Sequence, residues 1–147
     1  MSKRYGSVLG GETVEFYGTG FSSSATTTVM IDSRPCSVTA QSTTSITCIT
    51  DDKPNIVAED STLVIDIDGL GNVVTKNQVY RYVSRWSDSQ TWGYDLSPLE
   101  GEAVYIPLGQ HLLVDVDSTP ILSFINVEGS LIFAPETDPN HERYFDC

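Results

Sequence analysis

The chain has 147 residues, 39% of them hydrophobic and 10% aromatic, with 20 acidic side chains against 8 basic ones for a net charge of −12. That length holds one ordinary domain and part of a second, and a charged share of 19% beside seven Tyr, five Phe and two Trp excludes global disorder. The acid surplus excludes nucleic acid and an anionic membrane surface as partners, because affinity for either comes from Lys and Arg, and no apolar run approaches the roughly 20 residues of a membrane helix.

In chain order, residues 4–9 are short and broken by Gly6, so no full first strand is expected there. Residues 13–18 alternate, with Val14 and Phe16 on one face and Glu15 and Tyr17 on the other. Residues 26–31, 36–40 and 45–50 repeat the period of two and are rich in β-branched side chains. Residues 62–68 lead through turn residues 69–72 into 73–75, a hairpin signal, and 77–83 closes the set. Short strands at this spacing predict a sandwich over residues 1–83. Residues 84–90 read as a junction. Beyond them, 103–107, 112–116, 121–127 and 130–133 are shorter strands punctuated by Gly101, Gly109 and Gly129. That pattern predicts a small second β unit over 84–147, the first coils of a solenoid. The polar tail from Pro135 to the end is expected to be irregular. No window reads as a capped amphipathic helix, so the expectation is an all-β chain.

Cys36 and Cys48 form the sharpest local pair. Each has an apolar neighbour on its inward face, Val38 and Ile46 respectively, and a short turn around Thr43 and Thr44 would bring them within bonding distance. A bond there would contribute about 3 kcal/mol; the alternative is two buried thiols. Asp66 with Asp68, and Asp115 with Asp117, are same-face carboxylate pairs that could offer oxygen ligands to calcium. The competing reading is a solvated strand face, with Ile65 and Ile67 turned inward. His111 and His141 lack the spacing of a metal site, and neither a nucleophile elbow nor a phosphate loop is present. Trp86 and Trp92 read as an apolar plug seating the second unit on the first, with an exposed carbohydrate-stacking platform as the alternative. No cofactor is expected. No Asn is followed at two positions by Ser or Thr, and the charged start at Met1 leads into no hydrophobic stretch, so a secretory signal is expected to lie outside this segment.

The run from Gly10 and Gly11 through Val14 and Phe16 to Gly18, Thr19, Gly20 and Phe21 resembles the opening motif of IPT/TIG domains. In that reading Gly18 and Gly20 make a positive-φ turn and Phe21 folds back as a core plug. Val29 to Asp32, Pro35 to Val38, Ser42 to Thr50 and the ending Tyr80-Arg81-Tyr82 follow in the family's order, so the resemblance covers residues 6–83. Trp86, Thr91-Trp92-Gly93, Ile106-Pro107 with Gly109, Asp115, and Glu128-Gly129 with Leu131 resemble the N-terminal half of an eight-glycine domain. An IPT module running into an eight-glycine domain is similar to the fibrocystin group of large ciliary or cell-surface ectodomains. The cell-surface hyaluronidases, which share the second module, are the weaker match.

The resemblance implies a non-enzymatic extracellular or cell-surface segment with a protein or carbohydrate ligand. It favours the Cys36–Cys48 bond, since ectodomains fold in an oxidising compartment, and it leaves Cys147 for a partner outside the segment. The family's Pro-containing first strand is missing, which implies a truncated segment, or an edge completed by a neighbouring module or subunit. Two other readings remain: a fragment of a polysaccharide-degrading, hyaluronidase-like enzyme, and a fibre subunit that assembles by strand donation.

Overall fold

A computed structural model describes residues 1–53, 62–76 and 78–133. The described elements are β1 (Tyr5–Ser7), β2 (Thr13–Tyr17), β3 (Thr27–Ile31), β4 (Arg34–Gln41), β5 (Ser45–Thr50), β6 (Leu63–Ile67), β7 (Gly71–Asn72), β8 (Arg81–Arg85), β9 (Ala103–Ile106), β10 (His111–Val114), β11 (Phe124–Val127) and β12 (Ser130–Phe133), with one 3-10 turn at Ser89–Trp92. They divide into two units, Met1–Tyr82 and Val83–Cys147.

The first unit is built on a six-stranded antiparallel sheet in the order β2-β5-β4-β3-β6-β7. Period-two patterning sends one set of side chains inward: Val14 and Phe16, Val29 and Ile31, Cys36, Ile46 and Cys48, Ile65 and Ile67. Phe21, Tyr80 and Tyr82 close over them in one apolar cluster. Burying side chains of this size contributes about 1.5–3 kcal/mol each, which is why the alternation dominates strand placement here.

Several local features differ from the sequence expectation. Residues 5–7 do form a strand, and next to it Arg81 N–H donates to the Arg4 carbonyl at 2.9 Å. The outer edge of β2 is also engaged: Ser2 N–H donates to the Glu15 carbonyl at 2.8 Å, and Glu15 N–H donates to Ser2 Oγ at 2.9 Å. The second strand of the β6–β7 hairpin lies at Gly71–Asn72, not at 73–75. The turn falls earlier because Leu70 N–H bonds back to Ile67 C=O, which sets Asn72 opposite Asp66 and lets Val73 N–H reach Ile65 C=O. The closing strand, expected at 77–83, is Arg81–Arg85; Ser84 and Arg85 are thus strand and not junction, and Asn77 lies outside the described residues. Gly20 has φ 79, as a left-handed turn requires, but Gly18 does not have a positive φ. Its need is space: a Cβ there would sit 2.4 Å from Phe21 Cζ.

The β3–β4 hairpin turns on two residues, Asp32 (φ 54) and Ser33 (φ 62), closed by the Ile31–Arg34 pair. Two positive φ angles define a type I′ turn, which Asn-Gly normally occupies. Ser33 has no means of relieving its Cβ strain. Ser33→Gly is expected to stabilise this unit by about 1 kcal/mol, read as a higher urea midpoint with an unchanged slope.

The second unit pairs its strands in parallel. β10 lies between β8 and β12, with Leu112 beside Ser84 and Leu131, and β9 lies beside β11, with Val104 beside Ile125. Successive strands therefore alternate between two sheets and return one coil further on, a solenoid winding. Two corners are four-residue turns, Glu102 N–H to Leu99 C=O and Gln110 N–H to Pro107 C=O, with Gly101 (φ 81) and Gly109 (φ 87) at the third position. Ser130 N–H donates to the Gln110 carbonyl at 2.8 Å, tying one corner to the next. Inside lie Trp86, Val104, Ile106, Leu112, Val114 and Leu122, with Ile125 and Leu131 packed against them. The strand expected at 121–127 is Phe124–Val127, and it and Ser130–Phe133, adjacent in sequence, belong to different sheets. The expected irregular tail lies outside the described residues.

Candidate functional site

Cys36 and Cys48 are bonded, with Cα atoms 5.5 Å apart. The register sets Cys36 opposite Thr50 and Cys48 opposite Val38, so the bond runs diagonally between the neighbouring strands β4 and β5. Both residues are buried in the apolar cluster, at 3% and 0% exposure. Burial removes the pair from solvent reductants and gives it a structural role.

Beside the β3–β4 turn lies a charged cluster. Lys53 Nζ is bonded to Asp32 Oδ2, and the two side chains are only 13% and 5% exposed. Arg34 Nη2 lies 2.9 Å from carboxylate oxygens of both Asp51 and Asp52, an exposed arrangement worth at most about 1 kcal/mol. Lys53 Nζ also sits 5.9 Å from the centre of the Tyr82 ring. Burial, and next the charge of Asp51, push the Tyr82 hydroxyl from 10.0 up to about 12, against the opposing pull of Arg34. Below pH 10 both folded and unfolded forms are protonated and nothing is lost. Above it the unfolded chain releases the proton while the folded one holds it, so stability falls progressively up to about pH 12. Denaturation midpoints across that range are expected to drop, and Tyr82→Phe is expected to flatten the slope.

The two edges of the six-stranded sheet meet at a groove of about 540 Å³, lined by Phe16 and Tyr17 from one side and Ile65, Leu70 and Val73 from the other. Tyr17 and Val74 stand largely exposed there. The Tyr17 hydroxyl donates to Glu15 Oε2 at 2.7 Å, which raises its pKa. Both residues lie on the outward side of β2, two positions apart, so their shared face was visible in the alternation while the groove was not.

The structure separates the carboxylate pairs by role. Asp66 is exposed on β6, with Ile65 and Ile67 turned inward, and Asp68 lies in the following turn, its N–H bonded to Thr26 C=O at 2.9 Å. Asp115 accepts from Ser87 N–H at 3.0 Å and from Ser87 Oγ at 2.7 Å, so its carboxylate is engaged in joining coils; Asp117 is exposed. Among the described residues no three His, Cys, Asp or Glu side chains gather to hold a metal. Trp86 is 2% exposed inside the second unit, and Trp92 packs edge-on against it at 5.1 Å with its Nε1–H donating to Trp86 C=O at 2.8 Å. A ring so enclosed offers no face to a sugar, which corrects the platform reading for Trp86. Trp86 belongs to the core of its own unit, and Trp92, partly buried, packs against that core. His141 and Cys147 lie outside the described residues.

Residues 2–82 match the model of the IPT/TIG domain family. The chain belongs to the IPT/TIG domain family. The IPT/TIG unit is therefore an immunoglobulin-like sandwich, and residues 91–142 beyond it match the G8 domain model. Fibrocystin-L of Homo sapiens is 32% identical over 139 residues, 94% of this chain and 3% of that protein; Fibrocystin-L of Mus musculus is 28% identical over the same share of each. The chain thus spans only a small part of the relatives it resembles. Among solved structures, two of the Plexin A4 full extracellular region align: one with a TM-score of 0.47 at 25% identity over 54% of this chain and 8% of that chain, the other with 0.48 at 22% over 70% and 8%.

Proposed function

We propose that this IPT/TIG–G8 segment is a non-enzymatic structural and binding module of an extracellular or cell-surface, fibrocystin-like protein of the ciliary type. The observation that carries the reading is the Cys36–Cys48 bond in the IPT/TIG core, because such bonds persist in oxidising compartments and are rare in the cytosol. The similarity to Fibrocystin-L along 94% of the chain supports the context. A module of this kind spaces neighbouring domains and presents sheet faces and edges to a protein or carbohydrate ligand.

Surface biotinylation of cells expressing the full-length parent, followed by non-reducing peptide mapping, tests the reading. The labelled protein is expected to yield the peptides of Cys36 and Cys48 joined. Two free thiols in that material, or a parent confined to the cytosol, overturns it. Cleavage of hyaluronan by the parent, lost on deleting residues 86–147, would replace it with the enzymatic reading. Sedimentation of the isolated chain as a polymer would replace it with strand donation.

A further inference from the structure

Charge is distributed unevenly. Residues 83–147 carry eleven of the twenty acids and two of the eight bases, so −9 of the net −12 lies in the second unit. The same unit exposes large apolar side chains on one sheet. In β9 and β11 the parallel register sets Ala103 beside Phe124 and Tyr105 beside Asn126, and all four are exposed. Tyr105 is 55% and Phe124 58% exposed. Two aromatic side chains at diagonal positions on one strand pair share a face within reach of a single ligand side chain. The Tyr105 hydroxyl donates to Glu128 Oε2 at 2.6 Å, which holds a carboxylate at the end of the ring. The bond also raises the Tyr105 pKa.

Taken together these groups fit a flat cation. A guanidinium is planar, stacks on aromatic faces and forks onto a carboxylate. We infer that the outer face of the β9–β11 sheet docks a basic, arginine-bearing segment of another protein, one Arg lying over Tyr105 and Phe124 with its fork on Glu128. The occupant follows from charge complementarity: an apolar partner would leave Glu128 unmatched, and a neutral sugar would make no use of the unit's net charge of −9, which steers a cation to it. Asn126, next to Tyr105, supplies a further amide for the partner's backbone. This deepens the binding role proposed above. It is tested on the isolated chain, so its failure leaves the surface location and the disulfide untouched.

The test uses a labelled peptide alternating Arg and Ser, with a Lys-Ser peptide, a Glu-Ser peptide and a neutral cello-oligosaccharide as comparators, followed by amide chemical shifts. The Arg peptide is expected to shift amides of residues 103–106 and 124–128 selectively and to bind several-fold tighter than the Lys peptide, while the Glu peptide is inert. Glu128→Gln and Tyr105→Ala are each expected to weaken it about tenfold. Both side chains are solvent-exposed, and unchanged amide spectra elsewhere confirm that the variants fold. Tyr105→Phe separates the two contributions, keeping the stacking face while releasing Glu128, and is expected to fall between wild type and Tyr105→Ala. Shifts spread evenly over Asp88, Asp95 and the other acids, equal binding by the variants, or selective shifts from the sugar with none from the Arg peptide each overturn the assignment.

Discussion

Replacing both Cys36 and Cys48 by alanine is expected to destabilise the IPT/TIG unit by about 3 kcal/mol. The bond closes a loop with a sequence separation of 12, and loop-closure entropy for a ring of that size gives this magnitude. Truncating two buried residues, Cys36 at 3% and Cys48 at 0% exposure, adds a cavity term of the same sign. For a unit of this length the loop-closure contribution alone corresponds to a fall in melting temperature of roughly 12–24 °C, and the cavity adds to it. Calorimetry of the intact chain reads it, with the transition of residues 83–147 as internal reference. A melting temperature unchanged in the double variant would show that the bond adds nothing to the sheet that surrounds it. Reduction without mutation is expected to need partial unfolding first, because neither sulfur reaches solvent in the folded unit.

Gly129→Ala is expected to cost the second unit about 3 kcal/mol or more, although Gly→Ala at an unstrained position usually stabilises. A Cβ at residue 129 would lie 2.2 Å from the Gln110 carbonyl oxygen and 2.4 Å from that of Pro107. Both are backbone atoms of the preceding corner. Neither can swing aside as a side chain tip would, and Gln110 C=O is already engaged by Ser130 N–H. The coils must separate at that corner, which breaks the bonds from Glu128 and Gly129 N–H to Ile106 C=O. Hydrogen exchange is the direct readout: amides of Ser130–Phe133 should lose protection, while those of β2 to β6 keep theirs. Retained protection at Ser130 would mean that the corner has slack the structure does not show.

Much of the first unit is legible without coordinates. Val14 and Phe16, Ile65 and Ile67, Cys36 and Cys48 face inward because strand alternation leaves each only two sides, and their apolar character chooses between them. The turn at Asp32-Ser33 was hidden because neither residue is glycine; its two positive φ angles follow from the tight closure of Ile31 on Arg34. Placing the last strand of the β6 hairpin depended on which turn residue bonded back, a choice among Asp68, Gly69 and Leu70 that composition leaves open. The two tryptophans read from the sequence as a plug between units or as an exposed platform; they pack together within the second unit, because a strand pattern says nothing of whether a ring is covered or by what.

Residue order alone settles an all-β chain, two modules, the inward faces of the sandwich and the two cysteines that share them. Those properties are local, set by period, branching and turn chemistry. The parallel pairing of the second unit, and the approach of Tyr105 to Glu128, emerge from the folded chain. Rows of that unit join Ser84 to Leu112 and Leu112 to Leu131, intervals of 28 and then 19 residues. With no constant period, no repeat could appear in the sequence. Hydrogen bonds between distant segments choose the register there, and they depend on geometry that no single stretch of chain contains.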